Sequence, residues 1–296
     1  MITLKQIEAA HWVEKLGSFH AAASRLNTTQ STISKRILEL ELTLGFELFD
    51  RSTKTTQVTL RGRGVLDDFA EMLKLRHKIE HSSTTDGGYS GYFYLGATEM
   101  VAITWLPKLI RAITARFPNL KLRTSVQMAH QLQPGLAAYK FDLIICPMSF
   151  DGKMDELRSL PLDDLQSRWM INPDLPEARS GLLTASELAC LPLLTYAEGS
   201  LLHQVVVKAL SENGLRARQT IGCSSMIAIA ELVRGGLGVA YLPHDYFAKY
   251  RGGLKALETE LEIPPLPYGA IFRDDFVAAQ IAQLAEDCCD FSGGLD

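Results

Sequence analysis

The sequence predicts a mixed chain of 296 residues. A small helical unit with a helix-turn-helix and a wing comes first, then one long amphipathic helix, then an α/β half. Three observations predict this. Residues 17–44 set two apolar helical faces on either side of a tight turn. Residues 60–82 carry one apolar stripe over several turns. From Tyr92 onward, short apolar runs of strand length alternate with stretches of helical periodicity.

The first helix is predicted from Leu4, Ile7, Val13 and Leu16, with Ala10, on one face; Trp12 belongs to that core or its edge. Gly17 ends it, and Ser18 is a ready N-cap for the next. Ala21, Ala22 and Ala23 favour helix and let a neighbour approach closely. Asn27 and Thr28 break the run after Leu26. Thr29 then reads as the second N-cap, its hydroxyl accepting the Thr32 N–H. Ile33, Ile37, Leu40 and Leu44 fall at spacings of four, three and four, which is one dry helical face. The opposite face carries Gln30, Ser31, Thr32, Ser34, Lys35 and Arg36. Such a helix suits the DNA major groove, where amides and hydroxyls read base edges while basic groups hold phosphate. An ordinary amphipathic surface helix is the alternative for this stretch taken alone.

The flanking run decides between them. Thr29-Gln30, Leu40-Glu41, Leu44-Gly45, Leu48-Phe49-Asp50-Arg51 and, more loosely, Val58-Thr59-Leu60-Arg61-Gly62 stand in order at fixed spacing. In this the chain resembles the DNA-binding end of LysR-type transcriptional regulators. Ser31 stands where that family often has Pro, and Lys35-Arg36 where Arg-Gln is frequent, departures that bear on base preference. Residues 50–59 are polar with β-branched members and read as a short hairpin, the wing, from which Arg51 and Lys54 reach phosphate or a minor groove. The bland alternative for both is a solvated surface charge.

Leu60 to about Ser82 is predicted as a long helix with Val65, Phe69, Met72 or Leu73, Arg76 and Ile79 on one face. A single stripe outside a compact three-helix unit calls for a partner, and a second copy gives a two-fold axis. Two recognition helices then lie about one DNA turn apart, or a multiple of it. The resemblance implies the same: family members dimerise through this helix and often form tetramers. Residues 82–91, SSTTDGGYSG, are a linker of small and polar residues.

Beyond it, 92–95 reads as a strand, 97–117 as helix, 120–126 as strand, 130–139 as helix and 141–146 as a buried strand. A second such series starts near Leu162. It has strands at 169–171 and 193–196, helices at 200–213 and 226–234, strands at 238–243 and near 268–272, and a last helix from about Phe276 to Phe291. This alternation implies a parallel sheet with helices on its faces. The resemblance implies two α/β subdomains of periplasmic-binding-protein type. The expected organisation is a winged helix-turn-helix at 1–59, a dimerisation helix and hinge at 60–91, and an effector-binding domain at 92–296. Subdomain I spans 92–161 and 266–296, and subdomain II spans 162–265, with crossings near Pro161 and near Pro264-Pro265.

Ligands of open parallel sheets bind outside the carboxyl ends of strands, beside helix N-termini. Four stretches qualify: 97–100, 127–130, 198–201 with His203, and 223–226. They supply Thr98, Glu99, Met128, Ser200, Leu201, His203, Ser225 and Met226 as candidate effector contacts. Hydroxyls and backbone N–H groups suit carboxylates or other anions, so an anionic metabolite is one candidate. Thr98 and Ser200 lead, with N-capping as their alternative. Glu99 is odd beside an anion; it either favours a cationic or hydrogen-bonding ligand or caps its helix, and the cap is the preferred reading. His130 and His203 are expected at the surface or as caps. Met128 and Met226 suit an apolar wall or the core equally.

Composition bounds the rest. At 47% hydrophobic and 22% charged the chain is an ordinary globular protein. It has no apolar run of about eighteen residues, so no membrane span is expected. The first fifteen residues do not read as a secretory signal, and a cytoplasmic location is expected. Residues 1–80 carry 12 Lys and Arg against 10 Asp and Glu, and the remainder 18 against 24. DNA affinity must therefore come from local placement and from doubling in a dimer. Five cysteines (146, 190, 223, 288, 289) lack metal-site spacing and are expected to be inert, mostly buried thiols. Some members of the resembled family sense oxidants through a cysteine pair, and Cys190 and Cys223 lie in the matching region. No cofactor is expected. The sequence holds no Walker loop, no Gly-x-Ser-x-Gly and no His-Glu-x-x-His, and Gly236-Leu237-Gly238 follows a helix instead of a strand, so an enzyme is not expected. A solute-binding protein fits the second half but not the first 65 residues.

Overall fold

The structure is a computed structural model and describes residues 1–50, 56–82, 89, 91–148, 157–179, 181–250 and 253–292. Arg51, Lys54 and most of the 82–91 linker lie outside the described residues. Two compact units divide the chain: Met1–Gly91 with Ala137–Lys140, and Tyr92–Leu136 with Phe141–Asp296.

The first unit contains α1 (Leu4–Leu16), α2 (Phe19–Arg25), α3 (Gln30–Leu44), β1 (Phe49–Asp50), β2 (Gln57–Val58) and α4 (Leu60–Ser82). Its helix ends follow the capping chemistry. Thr3 and Gln6 form a reciprocal capping box, and Gly17 closes α1 at φ 61°. Ser18 Oγ accepts the Ala21 N–H, and Thr29 Oγ1 accepts the Thr32 N–H at 3.2 Å. Ile7, Val13, Ala22, Ile33, Ile37 and Leu40 are fully buried, and Trp12 packs at the edge of that core. Leu4, expected inside, is exposed because it opens the first turn of α1. β1 and β2 pair antiparallel, Phe49 opposite Val58, forming the base of the wing.

The stripe of α4 behaves differently from the expectation. Leu66, Phe69 and Leu73 are buried in the core of their own unit, while Met72 and Leu75 face solvent. Spacings of three and four from Leu66 turn that face inward, so only the neighbouring face remains for a partner.

The second unit holds two five-stranded sheets. One is built from β3 (Gly91–Ala97), β4 (Leu120–Val126), β5 (Leu143–Pro147), β6 (Leu157–Leu165) and a late strand, β12 (Leu266–Arg273), in the order β4-β3-β5-β12-β6. Its helices are α5 (Glu99–Thr104), α6 (Leu106–Arg116), α7 (Ala129–Ala137) and the last, α12 (Phe276–Cys288). The other sheet is built from β7 (Ser167–Ile171), β8 (Pro192–Tyr196), β9 (Gln219–Cys223), β10 (Val239–Pro243) and β11 (Lys255–Ala256), ordered β11-β7-β10-β8-β9. Its helices are α8 (Ala185–Cys190), α9 (Leu201–Glu212), α10 (Met226–Arg234) and α11 (His244–Tyr250).

Neither sheet is purely parallel. β3 and β5 run parallel, as do β8 with β9 and β10, but β12 is antiparallel to β5 and β6, and β7 is antiparallel to β10 and β11. The chain changes sheet at Gln166, between β6 and β7. Pro161, where the crossing was expected, instead lies inside β6 opposite Gly269. β6 is an edge strand, and a proline there forfeits no inner ladder bond. The predicted single helix over 97–117 breaks at Trp105 into α5 and α6, because Pro107 in the first turn of α6 has no N–H to continue the ladder. Strands β6 and β9 escape prediction because they are short of apolar alternation and largely exposed.

Candidate functional site

The candidate DNA-reading surface is the polar face of α3. Gln30, Ser31 and Lys35 are exposed and Thr32, Ser34 and Arg36 are half-buried, while Ile33, Ile37 and Leu40 anchor the other side. The Thr29 hydroxyl lies 2.9 Å from Ser31 Oγ and 2.8 Å from Thr32 Oγ1, so the first turn presents a linked set of hydroxyls. Ser18 and Thr29 therefore work first as helix caps.

A buried carboxylate holds the turn behind this helix. Glu41 Oε1 accepts the Leu48 N–H at 2.8 Å and the Phe49 N–H at 3.2 Å. These are donors that need an acceptor as the chain reverses toward the wing. Thr59 ties the other end: its hydroxyl donates to the Glu47 carbonyl at 2.7 Å and accepts the Gly62 N–H at 3.0 Å. A Cβ on Gly62 would lie 2.6 Å from the Leu48 carbonyl oxygen, so this close approach requires glycine. The Leu-Glu and Thr-x-x-Gly fragments of the motif thus brace one turn.

In the second unit a cleft of about 450 Å³ opens between the two sheets. That is the size of a small-molecule site. From the first sheet it is lined by Thr98 and Glu99 after β3, Val126 to Ala129 after β4, and Tyr268 at the start of β12; from the second by Tyr196 after β8, Ser200 to Leu202 at the start of α9, and Ser224 and Met226 around the start of α10. These are mostly strand carboxyl ends and helix starts, as the topology requires. Of the predicted contacts, Thr98, Glu99, Met128, Ser200, Leu201 and Met226 are brought together there.

Two others are not in the lining. His203 lies behind it, its Nδ1 3.0 Å from Thr195 Oγ1. Ser225 caps α10 by accepting the Ala228 N–H and turns its hydroxyl to Glu99. Neither Thr98 nor Ser200 makes a side-chain cap; the Thr98 hydroxyl donates to Tyr268 Oη at 3.3 Å. Tyr196 and Tyr268 were missed because tyrosines inside apolar strands read as core. Burial pushes the Tyr268 phenol upward, and burial together with the Glu99 hydrogen bond does the same for Tyr196.

Glu99 departs from its expected role as a cap. Its Oε2 accepts the Tyr196 hydroxyl and the Met226 N–H, both at 2.7 Å, and Oε1 accepts the Ser225 hydroxyl at 2.9 Å. The carboxylate starts in the first sheet's half and ends on three donors of the second's.

Known proteins resemble the chain over both its halves. Residues 4–63 match the family described as bacterial regulatory helix-turn-helix protein, lysR family, and residues 86–289 match the LysR substrate binding domain. The chain belongs to the LysR family of transcriptional regulators. It is 29% identical over 247 residues to a probable hydrogen peroxide-inducible genes activator of Mycobacterium leprae, covering 82% of this chain and 78% of that one. With the HTH-type transcriptional regulator YofA of Bacillus subtilis it shares 26% over 277 residues, 93% and 94% of the two chains. Its fold matches a full-length OxyR variant from Pseudomonas aeruginosa with a TM-score of 0.68 at 21% identity, covering 98% and 96%. Full-length BenM matches at 0.56 and 15%, covering 95% of each.

As a LysR-family regulator the chain combines a DNA-binding helix-turn-helix with an effector-binding domain, and it is not an enzyme. Among the described residues no helix is long and apolar enough to cross a membrane, and no cluster of His, Cys, Asp and Glu is suited to a metal ion. The five thiols are free. Cys146 and Cys288 are buried, whereas Cys190 is exposed, so the expected burial holds for only part of the set. Burial pushes the Cys146 thiol up to about 12.

Proposed function

We propose that the regulator reads its operator with the exposed face of α3 and takes a small effector into the cleft between its two sheets. Gln30, Ser31, Thr32 and Ser34 are assigned to base edges. Lys35 and Arg36, with the capped helix starts at Ser18 and Thr29, are assigned to phosphate, as are Arg51 and Lys54 of the wing. The observation that carries this is the two-sided character of α3, with Gln30, Ser31 and Lys35 in solvent and Ile33, Ile37 and Leu40 dry. Two such helices act together in a homodimer or tetramer. The exposed Met72 and Leu75 on α4, beside its buried face, support a partner helix there. The proposed organisation keeps the winged helix-turn-helix at 1–59, the dimerisation helix and hinge at 60–91 and the effector-binding domain at 92–296, with subdomain I taken through Leu165, the last residue of β6. A cytoplasmic location accords with work on DNA.

For the effector, Thr98, Ser200, Leu201, Met128 and Met226 are the proposed contacts. His203 is left out because its ring is held by Thr195 outside the lining. Binding that favours one arrangement of the two halves alters DNA affinity by its differential affinity for the two states.

A gel shift on DNA upstream of the protein's own gene tests the assignment. Gln30→Ala or Ser34→Ala is expected to lose sequence preference, about 1–3 kcal/mol for a good base contact. Lys35→Ala and Arg51→Ala are expected to weaken all sequences alike and to lower the salt slope by about one per phosphate lost. Identical behaviour of the two classes refutes the division of roles.

A further inference from the structure

Within the effector reading above, we propose that Glu99 is a built-in carboxylate ligand: it latches the two halves of the cleft together and reserves the pocket for an uncharged or cationic effector with an apolar body. The inference rests on that reading only for the word effector; the latch stands on geometry. Three donors from the second sheet's half converge on one carboxylate from the first, all at 2.7–2.9 Å. Two of them, the Ser225 hydroxyl and the Met226 N–H, form the start of α10, where a helix N-terminus favours negative charge. A free carboxylate effector would need these same donors, and they are already taken.

The lining supports the same selection by charge. Among the described lining residues Glu99 alone carries a charge, and no Lys, Arg or His offsets it. The walls are otherwise apolar, including Met100, Val126, Leu202 and Leu266, or neutral hydrogen-bonding groups. An anion entering here would be desolvated beside a negative charge with no cation to compensate. An amine, amidine or amide on an apolar body instead meets an acceptor. Of the sequence-based candidates, this favours the cationic or hydrogen-bonding ligand at Glu99 over the anionic metabolite.

Chemical rescue tests this on the full-length protein. Thermal unfolding is followed in chloride and in acetate at matched ionic strength and pH, and with benzoate and benzamidine, which have similar size and opposite charge. Wild type is expected to show no stabilisation by acetate or benzoate. Glu99→Ala empties the position and is expected to gain a carboxylate-dependent rise of about 3–6 °C at ten times Kd. Wild type responding to benzoate as strongly as Glu99→Ala, or Glu99→Ala showing no carboxylate response, overturns the proposal. Should Glu99→Ala not fold, the variant Tyr196→Phe with Ser225→Ala keeps the carboxylate and strips two donors. Amide exchange at Met226 must then accelerate at least tenfold, and unchanged protection overturns the latch. A gel shift run in parallel separates the two ideas: loss of specific DNA binding by wild type sinks the regulator assignment and leaves the rescue result intact.

Discussion

Replacing Glu41 by alanine is expected to loosen the whole DNA-binding unit, although the residue contacts no DNA in the proposed arrangement. The side chain is 7% exposed, and its Oε1 accepts two backbone donors, Leu48 N–H and Phe49 N–H. Both amides sit on residues that are almost wholly buried, so removal of the carboxylate leaves them without that acceptor. A stranded buried donor costs about 1–3 kcal/mol, so the pair costs about 2–5 kcal/mol once some solvent entry is allowed. For a unit of this size, one kcal/mol is about 4–8 °C of melting temperature, so the transition of the first unit is expected to fall by at least about 8 °C. Glu41→Gln retains an oxygen acceptor without the charge and is expected to lose about half as much. Calorimetry of the full chain reads the stability, and amide exchange at Leu48 and Phe49 reads the location. The reasoning is refuted if Glu41→Ala melts within about 2 °C of wild type and both amides stay protected.

Gly62→Ala is expected to destabilise by about 1–3 kcal/mol, since its Cβ meets the Leu48 carbonyl at 2.6 Å, whereas Gly64→Ala meets nothing within 4 Å and is expected to gain up to about 1 kcal/mol of helix propensity; denaturant midpoints distinguish them. Thr29→Ala removes the α3 cap and is expected to cost about 1 kcal/mol together with a loss of DNA affinity, read by melting and gel shift. Iodoacetamide is expected to label Cys190 first and Cys146 only on unfolding, as mass spectrometry of timed samples would show. The contribution of Cys146 to stability is expected to be complete below pH 9 and to fall as pH rises toward 12, read as denaturant midpoints across that range. Unfolded thiols ionise near 9.0, while burial holds Cys146 protonated up to about 12, so the unfolded state releases protons first.

Much of the first unit was legible because its information is local. Caps, glycine stops and a three-four apolar spacing lie within a few residues of one another, and Thr29, Gly45, Ile33 and Leu40 stand where those rules put them. Most parallel strands of both sheets were legible as apolar runs. The exposed edge strands β6 and β9 were not, since strand pairing across long separations, not local pattern, makes them strands.

The sequence by itself determined α3, its caps and the loops from which a cleft would be built, because each depends on neighbours within about two helical turns. Only the tertiary structure decided what the long-range partners are. Glu41 reaches seven and eight residues ahead, Gly62 touches the Leu48 backbone, and Glu99 meets Tyr196, Ser225 and Met226, 97 to 127 residues away. No periodicity records such meetings, because the distance between two side chains in space is set by sheet order and packing, not by their distance along the chain.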